Sequence, residues 1–446
     1  MLNLPLPIQS QRALELIEKS FAVFALLFFA GALLSTLEES AIASEAVLRV
    51  ALPLFVLAVN CFLVALWHRQ VLALVRKEKL LWVLLALALA SALWSEEPTA
   101  TLRRFLVLLN ASLFGVFFAV RYSVKEQLRL LGWTFGIAAV LSVIFIWGLP
   151  HYGVMGMGSS IVGKAQEMTH RGTWRGVFPH KNVLGTMMVL STFVFFLLAR
   201  SSRQSRWVAW AGCSLSVGLV IGSTSITALA ILGIVIVAWG LFQALRWFYL
   251  TKLQRNSPFA LSALVVLLNI AVTIVVLGLF NLETMLNALG RDLSFSGRTE
   301  LWSLLIEHIW ERPWLGYGYG GFWLVSDGSQ AVRRVLGDWA AHAHNGWLDL
   351  WLDLGFLGLS IFIYSFLTVC VQALLSLRRR PLVSLWALTY LTFLVLCNVT
   401  ESVLFNSLSI FCWLLYVTIV LSLHKEEPAL TKRPAESIRR LEQSQI

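Results

Sequence analysis

The stretch "HAHNGWLDLWLDLGFLGL", residues 342–359, opens polar and turns apolar within a few residues. The apolar run continues to about residue 376 and ends on the basic triplet Arg378, Arg379 and Arg380. A helix needs about 20 mostly apolar residues to cross the hydrocarbon core of a bilayer. The run therefore predicts a membrane span with histidines at one mouth and arginines at the other. The same signal recurs along the chain, at roughly 20–36, 47–67, 80–94, 102–120, 126–148, 182–199, 206–222, 224–244, 258–280, 346–376, 382–398 and 405–423. Composition agrees. Of 446 residues, 58% are hydrophobic and only 13% charged, where a soluble chain is about a quarter charged. The 19 Trp and 28 Phe suit membrane interfaces and lipid-facing helices. The expected fold class is an all-α polytopic membrane protein with about 12 transmembrane helices.

The charges set a direction. The connections "HRQVLALVRKEK" (68–79), "RYSVKE" (121–126), "RSSRQSR" (200–206), "RWFYLTKLQR" (246–255) and "RRR" (378–380) are basic, as is the tail with Lys425, Lys432, Arg433, Arg439 and Arg440. The alternate connections begin with the acidic "EES" (38–40) and "SEEPT" (95–99), the latter followed closely by Arg103 and Arg104. Basic loops stay in the cytoplasm, so both termini are expected there. A multi-pass membrane location is expected. The expected organisation is spans one to nine over 1–280 with an outer loop at 149–181, a large extracytoplasmic (periplasmic) loop over 281–345, spans ten to twelve over 346–423, and a cytoplasmic tail over 424–446. This bias accounts for most of the net charge of +11 without any nucleic acid. The opening "MLNLPLPIQSQRALELIEKS" lacks a small-residue cleavage site, so the first apolar run is expected to remain as a span. Cys61, Cys213, Cys370, Cys397 and Cys412 lie in or beside apolar runs with no CxxC spacing, and read as small core residues.

Among the outward connections, 149–181 breaks the charge rule most clearly. Lys164, Arg171, Arg175 and Lys181 stand against one acid, Glu167, and the connection closes on "RGTWRGVFPHKN" (171–182). One reading is a solvated loop with incidental charge. The other is an anion site, because arginine's planar fork gives phosphate two parallel charge-assisted hydrogen bonds. In the large loop, "SGRTELWSLLIEHIWERPW" (296–314) predicts an amphipathic helix along the membrane surface, with Ser296 as N-cap and Pro313 beyond its last turn. Its apolar face is Leu301, Trp302, Leu304, Leu305, Ile309 and Trp310. Arg298 falls in the first turn, where backbone N–H groups and the helix dipole favour an anion. A surface arginine near lipid headgroups is the plainer alternative. "LGYGYGGFW" (315–323) reads as a tight aromatic turn and not as a dinucleotide fingerprint, since no strand precedes it.

His342, His344 and Asn345 sit where the chain re-enters the membrane, and Asn345, Asp349 and Asp353 are spaced to share one helix face. The two carboxylates would line an interior cavity or pair with basic partners to fix packing. Two histidines at i, i+2 make a poor metal site without a third ligand, so none is expected. "NVTES" (398–402) also faces outward and contributes Glu401; its sequon lies too close to the membrane to read as a glycosylation site. Together these residues predict a cavity for an anionic, phosphate-bearing substrate at the outer leaflet.

"FPHKNVLG" (178–185), "SGRTELW…PWLGYGYGGF" (296–322) and "HAHNGWLDLWLDLGFLGL" (342–359), in that order and on one face, resemble the O-antigen ligase/polymerase superfamily. The resemblance covers roughly 150–400 by motif and the whole chain by topology. It implies a bacterial inner (cytoplasmic) membrane location with the active site on the outer face, a GT-C-like fold, and an inverting glycosyltransferase that uses neither metal nor cofactor. The implied donor is a glycan on undecaprenyl diphosphate. Its diphosphate would meet Arg175 and Arg298, and a histidine, His344 or the neighbouring His342, would assist attack by a sugar hydroxyl. Glu401 and Asp349 are alternative bases. Arg171, His180, Lys181, Asn182, Asn345 and Glu401 are the expected substrate-binding residues. The family often has Glu where Asp353 stands.

The chemistry is coherent: a diphosphate leaving group needs positive charge more than an acid, and a histidine can accept a proton near neutral pH. "RGVFPHKN" looks more like the exopolysaccharide polymerase branch (ExoQ-like) than the ligases, so the acceptor is expected to be a second lipid-linked repeat, with lipid A–core as the ligase alternative. Other implied partners are the bilayer and a chain-length regulator. Some members glycosylate proteins. A lipid-linked oligosaccharide flippase is the competing class, but transporters often show two similar halves with midplane sites. Here no repeat is visible and the polar residues crowd one face.

Overall fold

The structure is a computed structural model that describes residues 8–32, 43–157, 170–201, 206–251, 296–337, 340–404 and 410–425. The expected span 258–280 lies outside the described residues. Apart from one isolated antiparallel bridge between Val154 and Trp174, the described residues are helical or connecting. The first half holds α1 (Ile8–Phe29), α2 (Ala43–Leu66), α3 (His68–Val75), α4 (Lys79–Ala90), α5 (Pro98–Arg121), α6 (Val124–Gly148) and the short α7 (Pro150–Gly153). Next come α8 (Lys181–Ser201), α9 (Arg206–Gly222), α10 (Ile226–Thr251), α11 (Ser296–Glu311), α12 (Phe322–Val325) and α13 (Asp327–Leu336). The last three are α14 (Gly346–Leu375), α15 (Pro381–Thr400) and α16 (Ile410–His424).

Six of these helices, α5, α6, α8, α10, α14 and α15, are long and apolar enough to cross a membrane, and a seventh counts if the bent pair α2–α3 is one span. That pair turns by 87° after Leu66. The basic segment 68–79, read from sequence as a loop, is thus partly a helix set across α2. The apolar helices Lys79–Leu93, Arg206–Gly222 and Ile410–His424 are shorter. Helix α1 starts at Ile8, well before the apolar run expected from residue 20.

The late helices form the centre. Every residue of α15 from Val383 to Thr400 is buried, and so is α16 from Ile410 to Leu423. Helix α16 packs on α5, α14 on α15, and α8 on α9 and α6. Inside lipid, where apolar contact gains little over lipid tails, close approach and interhelical hydrogen bonds hold helices together. Both occur here. A Cβ on Gly115 of α5 would sit 2.9 Å from the Leu414 carbonyl of α16. Asn60 donates to Asn110 at 2.8 Å, Trp413 to Ser112 at 2.8 Å, and Ser191 pairs with Ser216 at 2.7 Å. Of the cysteines, Cys370, Cys397 and Cys412 are buried as expected, while Cys61 is exposed and Cys213 half-buried at the periphery.

The two ends of the bundle differ. At one end, lysine and arginine satisfy the last carbonyls of the helices. Lys425 Nζ donates to Ala119, Val120 and Tyr122 at 3.1, 2.8 and 3.2 Å, and Arg380 to Leu423 and Ser422 at 3.0 and 2.9 Å. The other end gathers the connection 170–181, the segments 312–337 (with α12 and α13) and 340–345, and residues 401–404 after α15. There a second, smaller core (Leu301, Leu305, Ile309, Phe322, Ala343 and Leu352 among its members) fastens α11 to α14. Trp310, expected on the apolar face of α11, is 66% exposed to the protein's surroundings, and Ser296, expected as cap, is the first helical residue.

The glycine turn binds to a break in α14. Gly355 adopts φ 66° and interrupts the helix. The exposed backbone there pairs with the turn, Tyr317 N–H to Leu352 O at 2.8 Å and Phe356 N–H to Pro313 O at 2.7 Å. A Cβ on Gly355 would lie 2.2 Å from the Trp314 backbone. Gly355→Ala therefore adds left-handed strain, of order 1–3 kcal/mol, to a backbone clash. It is expected to lower the melting temperature in detergent sharply. Gly240→Ala on α10, where a Cβ meets nothing within 4 Å, is expected to hold or raise it.

Candidate functional site

Helix α15 ends at Thr400, and the next residue, Glu401, turns its carboxylate into the gathered end. Asn182 Nδ2, in the first turn of α8, donates to Glu401 Oε1 at 2.9 Å. Arg298 Nη2, in the first turn of α11, reaches the same oxygen at 3.3 Å, while its Nη1 donates to Thr400 O at 2.7 Å. His344 Nδ1 meets Glu401 Oε2 at 3.3 Å. Three distant segments thus converge on one carboxylate. Of the residues singled out in the sequence, Asn182, Arg298, His344 and Glu401 are brought into direct contact.

The histidine turn is held on several sides. Ala343 N–H donates to Asp349 Oδ1 at 3.1 Å, Trp302 Nε1 donates to Ala343 O at 2.9 Å, and Trp323 Nε1 donates to Asp349 Oδ1 at 2.7 Å. Asn345 caps α14, its side-chain oxygen accepting from Trp347 and Leu348 N–H at 3.0 and 3.3 Å. His344 itself has φ 48°, a left-handed conformation that non-glycine residues seldom adopt and that concentrates at functional sites. Asp349 thus positions the turn through Trp323 and a backbone N–H.

Protonation separates the histidines. Burial pushes His342 down to about 3 and His180 down to about 4, the neighbouring Glu401 opposing in both cases. Both are neutral at pH 7. His342 Nδ1 accepts from the His344 N–H at 3.2 Å, and His180 Nδ1 from the Asn182 N–H at 3.2 Å. Each neutral ring therefore carries its proton on Nε2 and offers a donor. His344 is the reverse: with Nδ1 turned to a carboxylate, its proton sits on Nδ1 and its basic nitrogen is Nε2.

The remaining predicted residues flank this cluster. Arg175 is only 7% exposed and is anchored by Nε to Tyr152 O at 2.8 Å and by its N–H to Gly153 O at 3.0 Å. Its side chain thus welds the 170–181 loop to α7. Arg171 is exposed and Lys181 half-buried. Ser225, not singled out in the sequence, donates to Asn182 Oδ1 at 2.9 Å. The only signal for it was the polar "STS" (223–225) between two apolar runs. Ligand atoms of His342, His344 and Glu401 all lie within 4.8 Å of one another. Folding thus supplies the third metal-binding candidate that the two loop histidines lacked.

Glu401 is where charge and burial meet. Burial alone would raise its pKa, but the His344 hydrogen bond and the Arg298 charge outweigh that and hold it well below the usual carboxylate range. The pair therefore contributes stability above the unfolded carboxylate's pKa and loses it as pH falls through the depressed folded value. With side chains 11% and 18% exposed, removing one partner strands the other. Glu401→Ala is expected to cost on the order of 3 kcal/mol, read as a lowered melting temperature at neutral pH. The double variant Arg298→Met/Glu401→Leu should recover part of it, and a double variant less stable than either single would show that the two do not act as a pair.

Residues 210–363 match the family model described as O-Antigen ligase. That region contains Arg298, His342 and His344, whereas Asn182 and Glu401 lie outside it. Over 296 residues the chain is 24% identical to the "Exopolysaccharide production protein ExoQ" of Rhizobium meliloti (strain 1021), covering 65% of this chain and 64% of that protein. Over 75 residues it is 35% identical to the "ComP-specific O-oligosaccharyltransferase" of Acinetobacter baylyi, covering 16% of this chain and 14% of that one. The chain thus spans less than two thirds of the length of either relative. By motif order, family model and relatives together, the chain resembles the O-antigen ligase/polymerase superfamily.

Proposed function

We propose that this protein is a metal-independent, inverting glycosyltransferase of cell-surface polysaccharide biosynthesis that polymerises lipid-linked repeat units at the outer face of the cytoplasmic membrane. The observation that carries this reading is the pairing of His344 with Glu401 beside Arg298. The donor is a glycan on undecaprenyl diphosphate. A hydroxyl of the acceptor sugar attacks the anomeric carbon, the bond from that carbon to the diphosphate oxygen breaks, and the hydroxyl proton passes to His344 Nε2. Glu401 stabilises the imidazolium that forms, as a carboxylate does behind a catalytic histidine. Arg298 meets the charge on the departing diphosphate, where fixed cations aimed at developing charge lower the barrier. The Nε2–H groups of His342 and His180 add neutral donors. This protonation pattern favours His344 over His342 as the base.

Two further points support the reading. The ExoQ relative is named for exopolysaccharide production, which suits polymerisation over ligation to lipid A–core. Glu401 Oε1 is already matched by Arg298 and Asn182, so a metal bound at Oε2 would set a second cation beside the guanidinium. That favours chemistry without a metal.

In liposomes supplied with one lipid-diphosphate-linked repeat and no other acceptor, the protein is expected to produce a ladder of products on a gel. Transfer only after addition of lipid A–core would make it a ligase, and no transfer in either case would remove the enzymatic reading. Arg298→Ala and His344→Ala are expected to abolish the ladder, and His342→Ala to weaken it. Each loss of a transition-state contact is expected to cost about a hundredfold or more. Full activity in EDTA is expected, and reversible loss with chelator would replace the proposed chemistry with metal chemistry at His342, His344 and Glu401.

A further inference from the structure

The connection between α9 and α10, Ser223-Thr224-Ser225, is part of the Glu401 site, although its sequence shows only three polar residues between two apolar runs. Thr224 adopts φ 52°, a true outlier for a β-branched residue. Ser223 and Ser225 are 0% and 2% exposed. Helix α8 comes close enough to touch this turn because residue 185 is glycine: a Cβ there would lie 2.6 Å from Ala228 and 3.0 Å from Ser223 Oγ. Ser225 Oγ does two things. It accepts from Ala228 N–H at 3.3 Å, capping α10, and it donates to Asn182 Oδ1 at 2.9 Å. The second bond fixes which way the Asn182 amide points. With Oδ1 taken by a hydroxyl donor, Nδ2 must face Glu401, and it does, at 2.9 Å.

We propose that Ser225 is a positioning residue that acts through Asn182 on Glu401, so that Glu401 Oε1 is held by the Asn182 amide and Arg298 while Oε2 is reserved for His344. This rests on the catalytic reading of His344 and Glu401 given above. Without the serine, Asn182 Oδ1 loses its donor and the amide is oriented by Glu401 alone, so its hydrogen bond to Oε1 is less firmly placed and Oε2 less firmly reserved for His344.

The test separates the cap from the relay. Ser225→Ala removes both. Ser225→Asp keeps an N-cap acceptor but has no proton to donate. Ser225→Thr keeps both. With a synthetic lipid-diphosphate-linked oligosaccharide, Ser225→Ala and Ser225→Asp are each expected to lose about tenfold in kcat, roughly one buried hydrogen bond. KM should be little changed. Ser225→Thr should restore wild-type behaviour. Wild-type kcat in Ser225→Asp would overturn the relay. A second readout does not depend on activity: melting temperatures of Ser225→Ala, Glu401→Gln and the double variant. Non-additivity is expected, and strict additivity would also overturn the relay. Non-additive melting without any glycan transfer by the wild type would leave the relay standing and remove the catalytic reading instead.

Discussion

Glu401 is an anion set at the end of α15, one of the two most deeply buried helices among the described residues, and an ion taken out of water must be compensated. Desolvation of a lone carboxylate costs several kcal/mol, so the fold has to deliver partners to it. It does so from far along the chain: Asn182 from the first turn of α8, Arg298 from the first turn of α11 and His344 from the turn before α14. Each partner is itself fixed. Arg298 is held to Thr400, His344 lies in a turn pinned by Asp349 and Trp302, and Asn182 is oriented by Ser225. The smaller core under α11 and the glycine turn locked to the break in α14 serve the same end, since they set the two loop-borne partners at the correct height.

The arrangement separates roles among similar residues. Three histidines lie close together, with the His342 and His344 rings 3.9 Å apart, yet two are kept neutral with Nδ1 committed to backbone N–H groups, and one is turned to a carboxylate. Environment, rather than residue type, makes His344 the candidate base. The strained backbone at His344 and Thr224 falls at two of the points where the chain must deliver a side chain to this cluster, as expected where local strain is maintained by surrounding packing.

Much of this was legible in the sequence and some was not. Apolar runs gave away the helices because a bilayer demands long, continuous hydrophobicity, and the spans at 102–120, 126–148, 182–199, 224–244, 346–376 and 382–398 correspond to helices of sufficient length. The bend after Leu66 was hidden, since nothing in 68–79 distinguishes a basic loop from a basic helix. His344 and Glu401 stood out as polar residues at the mouths of apolar segments, and Arg298 as a cation in the first turn of a loop helix. Their mutual contact could not be read, because it joins residues 57 and 103 positions apart. Ser225 was silent for a simpler reason: a serine between two apolar helices is common, and only its distance to Asn182 gives it a role. Arg175 was legible as a cation, but its anchorage on Tyr152 was not.

The most direct test of the account is an experimental structure with a non-reacting undecaprenyl diphosphate analogue bound. The diphosphate is expected within hydrogen-bond distance of Arg298, with His344 still paired to Glu401 and its Nε2 directed at the sugar side of the ligand. A diphosphate bound at the opposite, lysine-capped end of the bundle, or one that leaves Arg298 and His344 out of reach, would contradict it.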